Sequence, residues 1–319
     1  MTTKLAVFYG LVLLAFALLA LRLLKISSED GEQYKRQVLS QQRYDSITIP
    51  YRRGSIVDRQ GTTLAYSEQV YNLILDSKMM REDAESIEPT LIALNSCFGL
   101  EAASIRTYIS EHPDSAYHIL LKQLTYEEIQ PDLEMRDAED SLINDSGIWF
   151  EEEFKREYPY GTLAADVIGF TTADNNGQFG LEEYYNDVLT GSNGREYGYF
   201  SDDNALERTV ISAENGNTVV TTLDIYIQNI VEQNIIAFNE EHANEYREGE
   251  MGSDNTGVII MDVNTGEILA MATLGSYDPN NYLEIADPEV QEELALLPEG
   301  SAEKSEALTA ARLKQWRNR

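Results

Sequence analysis

Residues Arg52–Asp76 read RRGSIVDRQGTTLAYSEQVYNLILD, with β-branched and aromatic residues on both sides of a Gln60-Gly61 turn signal. This pattern predicts strands folded back as a hairpin, because branched and aromatic side chains suit a pleated surface. In an extended segment Arg53, Ser55, Val57 and Arg59 share one face, and Gly54, Ile56 and Asp58 the other. Asp58 and Arg59 therefore point apart, and each needs its own partner. Upstream, Ser46–Pro50 (SITIP) alternates as a strand does. Downstream, Arg81 to about Ile109 and Tyr126 to Met135 carry helical patterns, with the strand-like His118–Leu121 between them, and Asp145–Phe154 reads as a further strand.

Later segments continue the mixture. Gly216–Asp224 (GNTVVTTLD) is a β run closed by Asp224, a good helix N-cap. Behind it Ile227, Ile230, Val231, Ile235 and Phe238 fall at helical spacing and form the expected packing face. Gly257–Ala272 (GVIIMDVNTGEILAMA) holds the apolar runs Val258–Met261 and Ile268–Met271, joined through Asn264 and Gly266. These read as two adjacent, half or fully buried antiparallel strands. The acidic stretch Glu284–Lys314 predicts one or two surface helices. The expected fold class is α+β.

The chain has 319 residues, room for two domains with ordinary cores. Its 24 basic and 55 acidic side chains give a formal charge of −31, which repels phosphate backbones and excludes nucleic acid as a partner. From Leu5 to Leu21 no charge interrupts LAVFYGLVLLAFALLAL, flanked by Lys4 and by Arg22 and Lys25. A bilayer needs about 17–25 such residues. A cleaved signal would show a shorter apolar core and a small-x-small site, whereas this run continues into Leu-Arg-Leu-Leu-Lys. Residues 1–25 are therefore expected to be a cytoplasmic tail and uncleaved single-pass anchor in the cell membrane, 26–45 a juxtamembrane linker or helix, and the remainder extracytoplasmic. Cys97, the single cysteine, suits a small buried hydrophobe rather than a nucleophile.

A series of segments, in order, resembles the class B penicillin-binding proteins. RGSIVDRQG (Arg53–Gly61) with Leu64-Ala65 resembles the first signature of their non-catalytic pedestal, or dimerisation, domain. REYPYGTLAADVIGF (Arg156–Phe170) is similar to the R-x-Y-P-x-G segment, and GQFGLEEYYNDVLTGSNG (Gly177–Gly194) to the G-x-x-G-L-E segment. TTLDIYIQNIVE (Thr221–Glu232), GVIIMDVNTGEILAMA and SYDPN (Ser276–Asn280) resemble the start of the transpeptidase domain. The resemblance implies a pedestal over 46–222 and the start of an incomplete transpeptidase domain over 223–319, with the catalytic serine expected beyond WRNR (Trp316–Arg319). It marks Arg53, Gly54, Asp58, Arg59, Gly61, Arg156, Tyr158, Pro159, Gly161, Gly180 and Glu182 as structural pedestal residues. Gly54, Gly61, Gly161 and Gly180 are expected at chain reversals with positive φ. One of the arginines is expected to pair with Glu182 and hold distant strands together.

The resemblance further implies D,D-transpeptidation of peptidoglycan and its precursors by the full-length protein. Expected partners are a SEDS-type glycosyltransferase and other divisome or elongasome membrane proteins. A non-catalytic, membrane-anchored scaffold of the cell-wall machinery is the alternative. The family's chemistry needs S-x-x-K, S-x-N and K-T-G in that order. Ser301-Ala302-Glu303-Lys304 and Ser253-Asp254-Asn255 occur in reverse order, K-T-G is missing, and Ser301 precedes WRNR. Ser301 and Lys304 are thus read as a decoy, no catalytic residue is assigned, and the chain alone is expected to be inactive. Asp174, Asn176, Gly177 and Glu183 fit part of a calcium loop whose first position would be Thr172, and His112, His118 and His242 lack zinc spacing. Neither metal nor cofactor is expected.

Overall fold

A computed structural model describes residues 46–317 apart from 139–140, 145–146, 201–205, 246–247, 249–250 and 254. The apolar run Leu5–Leu21 lies outside the described residues. Among those described, no helix is long and apolar enough to cross a membrane.

In chain order the elements are β1 (Ser46–Ile49), β2 (Ile56–Val57), β3 (Thr63–Leu75), α1 (Ser77–Glu82), α2 (Ile87–Phe98), α3 (Ala102–Glu111), β4 (His118–Leu124), α4 (Tyr126–Arg136) and β5 (Ile148–Glu157). They continue with α5 (Ala165–Ile168), β6 (Phe170–Thr171), β7 (Gly177–Gln178), α6 (Gly180–Tyr184), α7 (Asn186–Leu189), β8 (Gly194–Phe200), β9 (Leu206–Ile211) and β10 (Val219–Val220). The last are α8 (Ile225–Glu241), β11 (Gly257–Met261), β12 (Ile268–Thr273), a 3-10 turn (Pro279–Asn281), α9 (Pro288–Ala295) and α10 (Ala302–Arg317). Mixed helix and strand in this order make the fold α+β.

Contacts divide the chain into two compact units. In the smaller, β1, β8 and β9 form an antiparallel three-stranded sheet in the order β1-β8-β9. The larger unit comprises 50–192 and 213–319. Its frame is β3, which pairs antiparallel with β5 from Tyr66 to Leu75 and with β2 and β4. One end of β3 supplies Leu64 and Ala65 to a core shared with Ala165, Phe170, Leu189, Leu223, Ile225 and Tyr277. Its other end places Leu73 and Leu75 against Met80, Leu91, Leu94, Ile105 and Ile109 of α1–α3. A single strand thus enters two cores, which explains why its apolar spacing changes partway along.

Local chemistry departs from the sequence reading at several places. The β run expected over Gly216–Asp224 shrinks to Val219–Val220, parallel to β2, because Gly216 and Asn217 donate instead to the carbonyls of Arg52 and Val188. Helix α8 begins as expected, with the Asp224 carboxylate accepting from Tyr226 and Ile227 N–H. Its inward face, however, is Ile225, Gln228, Val231, Ile235 and Asn239, whereas Ile230 and Phe238 are exposed. Gln228 replaces an apolar residue because its amide accepts from Met271 N–H at 2.9 Å and donates to Met271 C=O at 2.7 Å. Asn239 likewise accepts from Ser253 N–H at 2.7 Å. The β11–β12 hairpin buries Ala270 and Ala272 against Val231 and Ile235, but Ile259 and Met261 face outward.

Candidate functional site

The signature residues converge on Glu182, whose side chain is fully buried. Arg53, on the approach to β2, donates from Nε to Glu182 Oε2 at 2.8 Å and from Nη2 to the Glu182 carbonyl at 3.0 Å. Its Nη1 donates to Asn186 Oδ1 and Thr190 Oγ1, each at 2.9 Å, and to Asn175 C=O at 3.1 Å. Arg156, on β5, donates from Nε to Glu182 Oε1 at 2.8 Å and from Nη1 to Gly54 C=O at 2.8 Å. Its Nη2 stands 2.7 Å from Oε1 as an ion-pair contact, out of hydrogen-bonding alignment. The Tyr158 hydroxyl donates to the same oxygen at 3.3 Å. Burial, reinforced by the Glu182 charge, pushes the Tyr158 phenol up.

This pin joins residues 129 apart. Two guanidinium groups against one carboxylate leave an excess positive charge in a buried place, which the carbonyls of Gly54, Asn175 and Glu182 partly neutralise. Both carboxylate oxygens of Glu182 are engaged by arginines, and its side chain is sealed from solvent. The arrangement can hold strands together, but it cannot receive a substrate.

A second set of contacts ties the signatures to the segments that follow. Asp58 is buried; its Oδ1 accepts from Gln60 and Thr62 N–H at 2.8 Å, closing the turn, and Oδ2 accepts from Ile225 N–H at 3.4 Å. Two carboxylates, Asp58 and Asp224, thus meet the positive end of α8. Arg59 points the other way and stands 3.6 Å from Glu267 in a half-exposed pair worth little. Asn280 clamps the Tyr158 backbone from both sides, accepting from its N–H at 2.9 Å and donating to its C=O at 3.0 Å. Pro159 and Gly161 lie in the turn after Tyr158, closed by Gly161 N–H donating to Tyr158 C=O. Sequence reasoning missed Asn175, Asn186, Thr190, Gln228 and Asn280, because a polar residue that serves one buried partner has no periodic signal.

Gly61, Gly161 and Gly180 do take positive φ, but Gly54 does not. Gly54 is required by proximity instead: a Cβ there would collide with the Asn217 carbonyl. Ser301 acts as a helix cap, its Oγ accepting from Lys304 N–H at 3.1 Å, while Lys304 Nζ donates to Glu299 at 2.5 Å. Asp174 and Asn176 lie in the connection between β6 and β7, and Glu183 accepts from Phe179 N–H. Among the described residues no group of three or more His, Cys, Asp or Glu is placed to hold a metal.

Glu232 sits on α8 where it meets α5, accepting from Ala164 N–H at 2.9 Å and from Gln228 Nε2 at 2.7 Å. Burial raises its pKa above 4.5, the Asp166 charge adds to the rise, and the two hydrogen bonds oppose it. A raised folded-state pKa gives stability that is present below the unfolded value and lost as pH climbs through the folded value. Glu232→Gln keeps an acceptor without the charge. The stability difference in favour of the variant is expected to grow as pH rises from below 4.5 to neutrality, measured by urea midpoints across pH. A difference that is flat or shrinks with pH would contradict this.

Buried charge thus pins a strand platform whose turns are clamped to the start of α8 and to the 3-10 turn after β12, the arrangement of a scaffolding module. Residues 48–221 match the penicillin-binding protein dimerisation domain, and the chain belongs to the class B penicillin-binding proteins. Over 293 residues it is 30% identical to the peptidoglycan D,D-transpeptidase FtsI of Escherichia coli K12, covering 87% of this chain and 45% of that protein. Its fold is shared with penicillin-binding protein 2X from Streptococcus thermophilus, with a TM-score of 0.59 and 20% identity over 76% of this chain and 37% of the other. Penicillin-binding protein PBP2 in complex with MreC from Helicobacter pylori gives a TM-score of 0.53 and 19% identity, covering 79% and 46%. The chain spans less than half the length of the curated relatives it matches.

Proposed function

We propose that this chain supplies the membrane anchor, the pedestal and the first elements of the catalytic module of an enzyme that cross-links peptidoglycan. The observation that carries this reading is the double clamp of pedestal signatures onto later segments: Asp58 on the start of α8, and Asn280 on Tyr158. These contacts fix the start of α8 and the 3-10 turn after β12 against the pedestal signatures. The name of the E. coli relative supports D,D-transpeptidation as the reaction. In that chemistry a serine attacks the D-Ala-D-Ala end of a stem peptide, releases D-alanine and passes the acyl group to a neighbouring amine. Peptidoglycan and its precursors are then the substrates. The partners are membrane proteins of the division or elongation machinery, including a SEDS-type glycosyltransferase; the Helicobacter pylori complex supports an MreC-like protein among them.

Depleting the gene product is expected to lower the cross-linked fraction of muropeptides, and the wild-type gene, but not a Glu182→Ala version, restores it. Unchanged cross-linking on depletion overturns the reading. For the anchor, the uncharged Leu5–Leu21 run is long enough to span a bilayer, and a cell-wall substrate supports an extracytoplasmic position for the rest of the chain. A reporter active only outside the cytoplasm and fused after Asp76 is expected to be active. Activity from a cytoplasm-only reporter alone would reverse that topology.

A further inference from the structure

Phe179 is held at φ 60° and ψ 164°, a combination that glycine enters freely and a residue with a Cβ does not. Its surroundings leave it little choice. The Phe179 N–H donates to Glu183 Oε2 at 2.8 Å, and its carbonyl accepts from Glu183 N–H at 3.0 Å. Gly169 lies so near that carbonyl that a Cβ on Gly169 would collide with it. On the far side the chain runs directly through Gly180 and Leu181 to Glu182, the anion of the pin.

The ring of Phe179 points into an aromatic cluster. Its centroid is 5.9 Å from Phe170 and 6.0 Å from Trp316, and Trp316 is 5.1 Å from Phe170. Trp316 belongs to the last turn of α10, where its Nε1 donates to Tyr282 C=O at 2.9 Å. Gln315 beside it and Arg312 one turn earlier donate to the carbonyls of Glu284 and Leu283. Relaxing the Phe179 backbone toward an ordinary φ would swing its Cβ, and so its ring, away from Trp316. Strain of this kind persists only where neighbours over-determine it: Glu183 and Gly169 hold Phe179, while Arg53 and Arg156 fix Glu182 three residues further along the same short segment.

We propose that Phe179 is a positioning residue that couples the buried charge pin to the last turn of α10. The pin fixes the start of α6, the start of α6 holds Phe179 strained, and the strained backbone sets the ring against Trp316. The coupling is a property of this chain and stands apart from the reaction proposed above. If that reaction also holds, the device links the pedestal to the helix that precedes the serine.

Trp149 and Trp316 are the two tryptophans of the chain, so a Trp149→Phe background makes Trp316 the single reporter. The full chain in detergent is titrated with acrylamide, with circular dichroism as the control for folding. Phe179→Gly, which removes ring and strain together, is expected to raise the Trp316 quenching constant about two-fold through local opening of the cluster. Phe179→Tyr should leave it unchanged. Tyr158→Phe, a mild weakening of the pin, should raise quenching when Phe179 is present and add nothing in Phe179→Gly, the non-additivity that marks coupled sites. Should the glycine variant fail to fold, Phe179→Leu takes its place in the same comparison. Unchanged quenching in Phe179→Gly, or in Phe179→Leu where that replaces it, or effects of that substitution and Tyr158→Phe that simply add, overturns the proposal.

Discussion

Glu182→Ala is expected to destabilise the larger unit by about 3–5 kcal/mol, the loss that follows when one partner of a buried ion pair is removed and the other is left uncompensated. Here the consequence is compounded, because the carboxylate serves both Arg53 and Arg156 through separate oxygens. Removing it leaves two guanidinium groups together where water does not reach. Carbonyls from Gly54, Asn175 and Glu182 remain as acceptors, but they carry only partial charge. Glu182→Gln should cost less, since one oxygen stays in place while the added amide faces an arginine. Urea unfolding of the full chain in detergent, followed by tryptophan emission, measures both. A loss for Glu182→Ala under about 1 kcal/mol, the range of an exposed pair, would mean that the pin contributes no more than surface charges do.

How far the sequence could be read depended on whether a residue's role was periodic or particular. The Gln60-Gly61 turn, the Asp224 cap and the β11–β12 hairpin were legible, since each follows from local preference. Long-range pairing was legible only as a need: Asp58 and Arg59 on opposite faces required separate partners, and the structure gives them Ile225 N–H and Glu267. The inward face of α8 was misread because Ile230 and Phe238 fit an apolar stripe as well as Ile227 and Ile235 do. What decides between them is Gln228, whose amide reaches the Met271 backbone. No rule of spacing identifies a glutamine as an inward residue when its partner lies 43 positions away. The aromatic cluster around Phe170 was hidden for the same reason, as Phe179, Tyr282 and Trp316 come together only once the chain has folded.

The glycines allow two causes to be separated by experiment. Gly61 has φ 88° and open space around the position of a Cβ, so Gly61→Ala should cost only the left-handed backbone penalty of about 1–2 kcal/mol. Gly54 has no positive φ, and by conformational preference alone its replacement would be harmless. Its surroundings dictate otherwise. An added Cβ would meet the carbonyl of Asn217, a backbone atom fixed in turn by Asn217 N–H donating to Val188 C=O at 2.9 Å. Nor can Gly54 retreat, because its N–H donates to Leu189 C=O at 2.8 Å and its carbonyl accepts from Arg156 Nη1 at 2.8 Å. Overpacking and the displacement of those two hydrogen bonds together should make Gly54→Ala cost about 3 kcal/mol or more. Urea midpoints of the two variants, measured side by side, decide the matter: a Gly61→Ala loss equal to or greater than that of Gly54→Ala would show that backbone conformation, rather than the close approach of β2 to residues 216–220, sets the requirement for glycine in this signature.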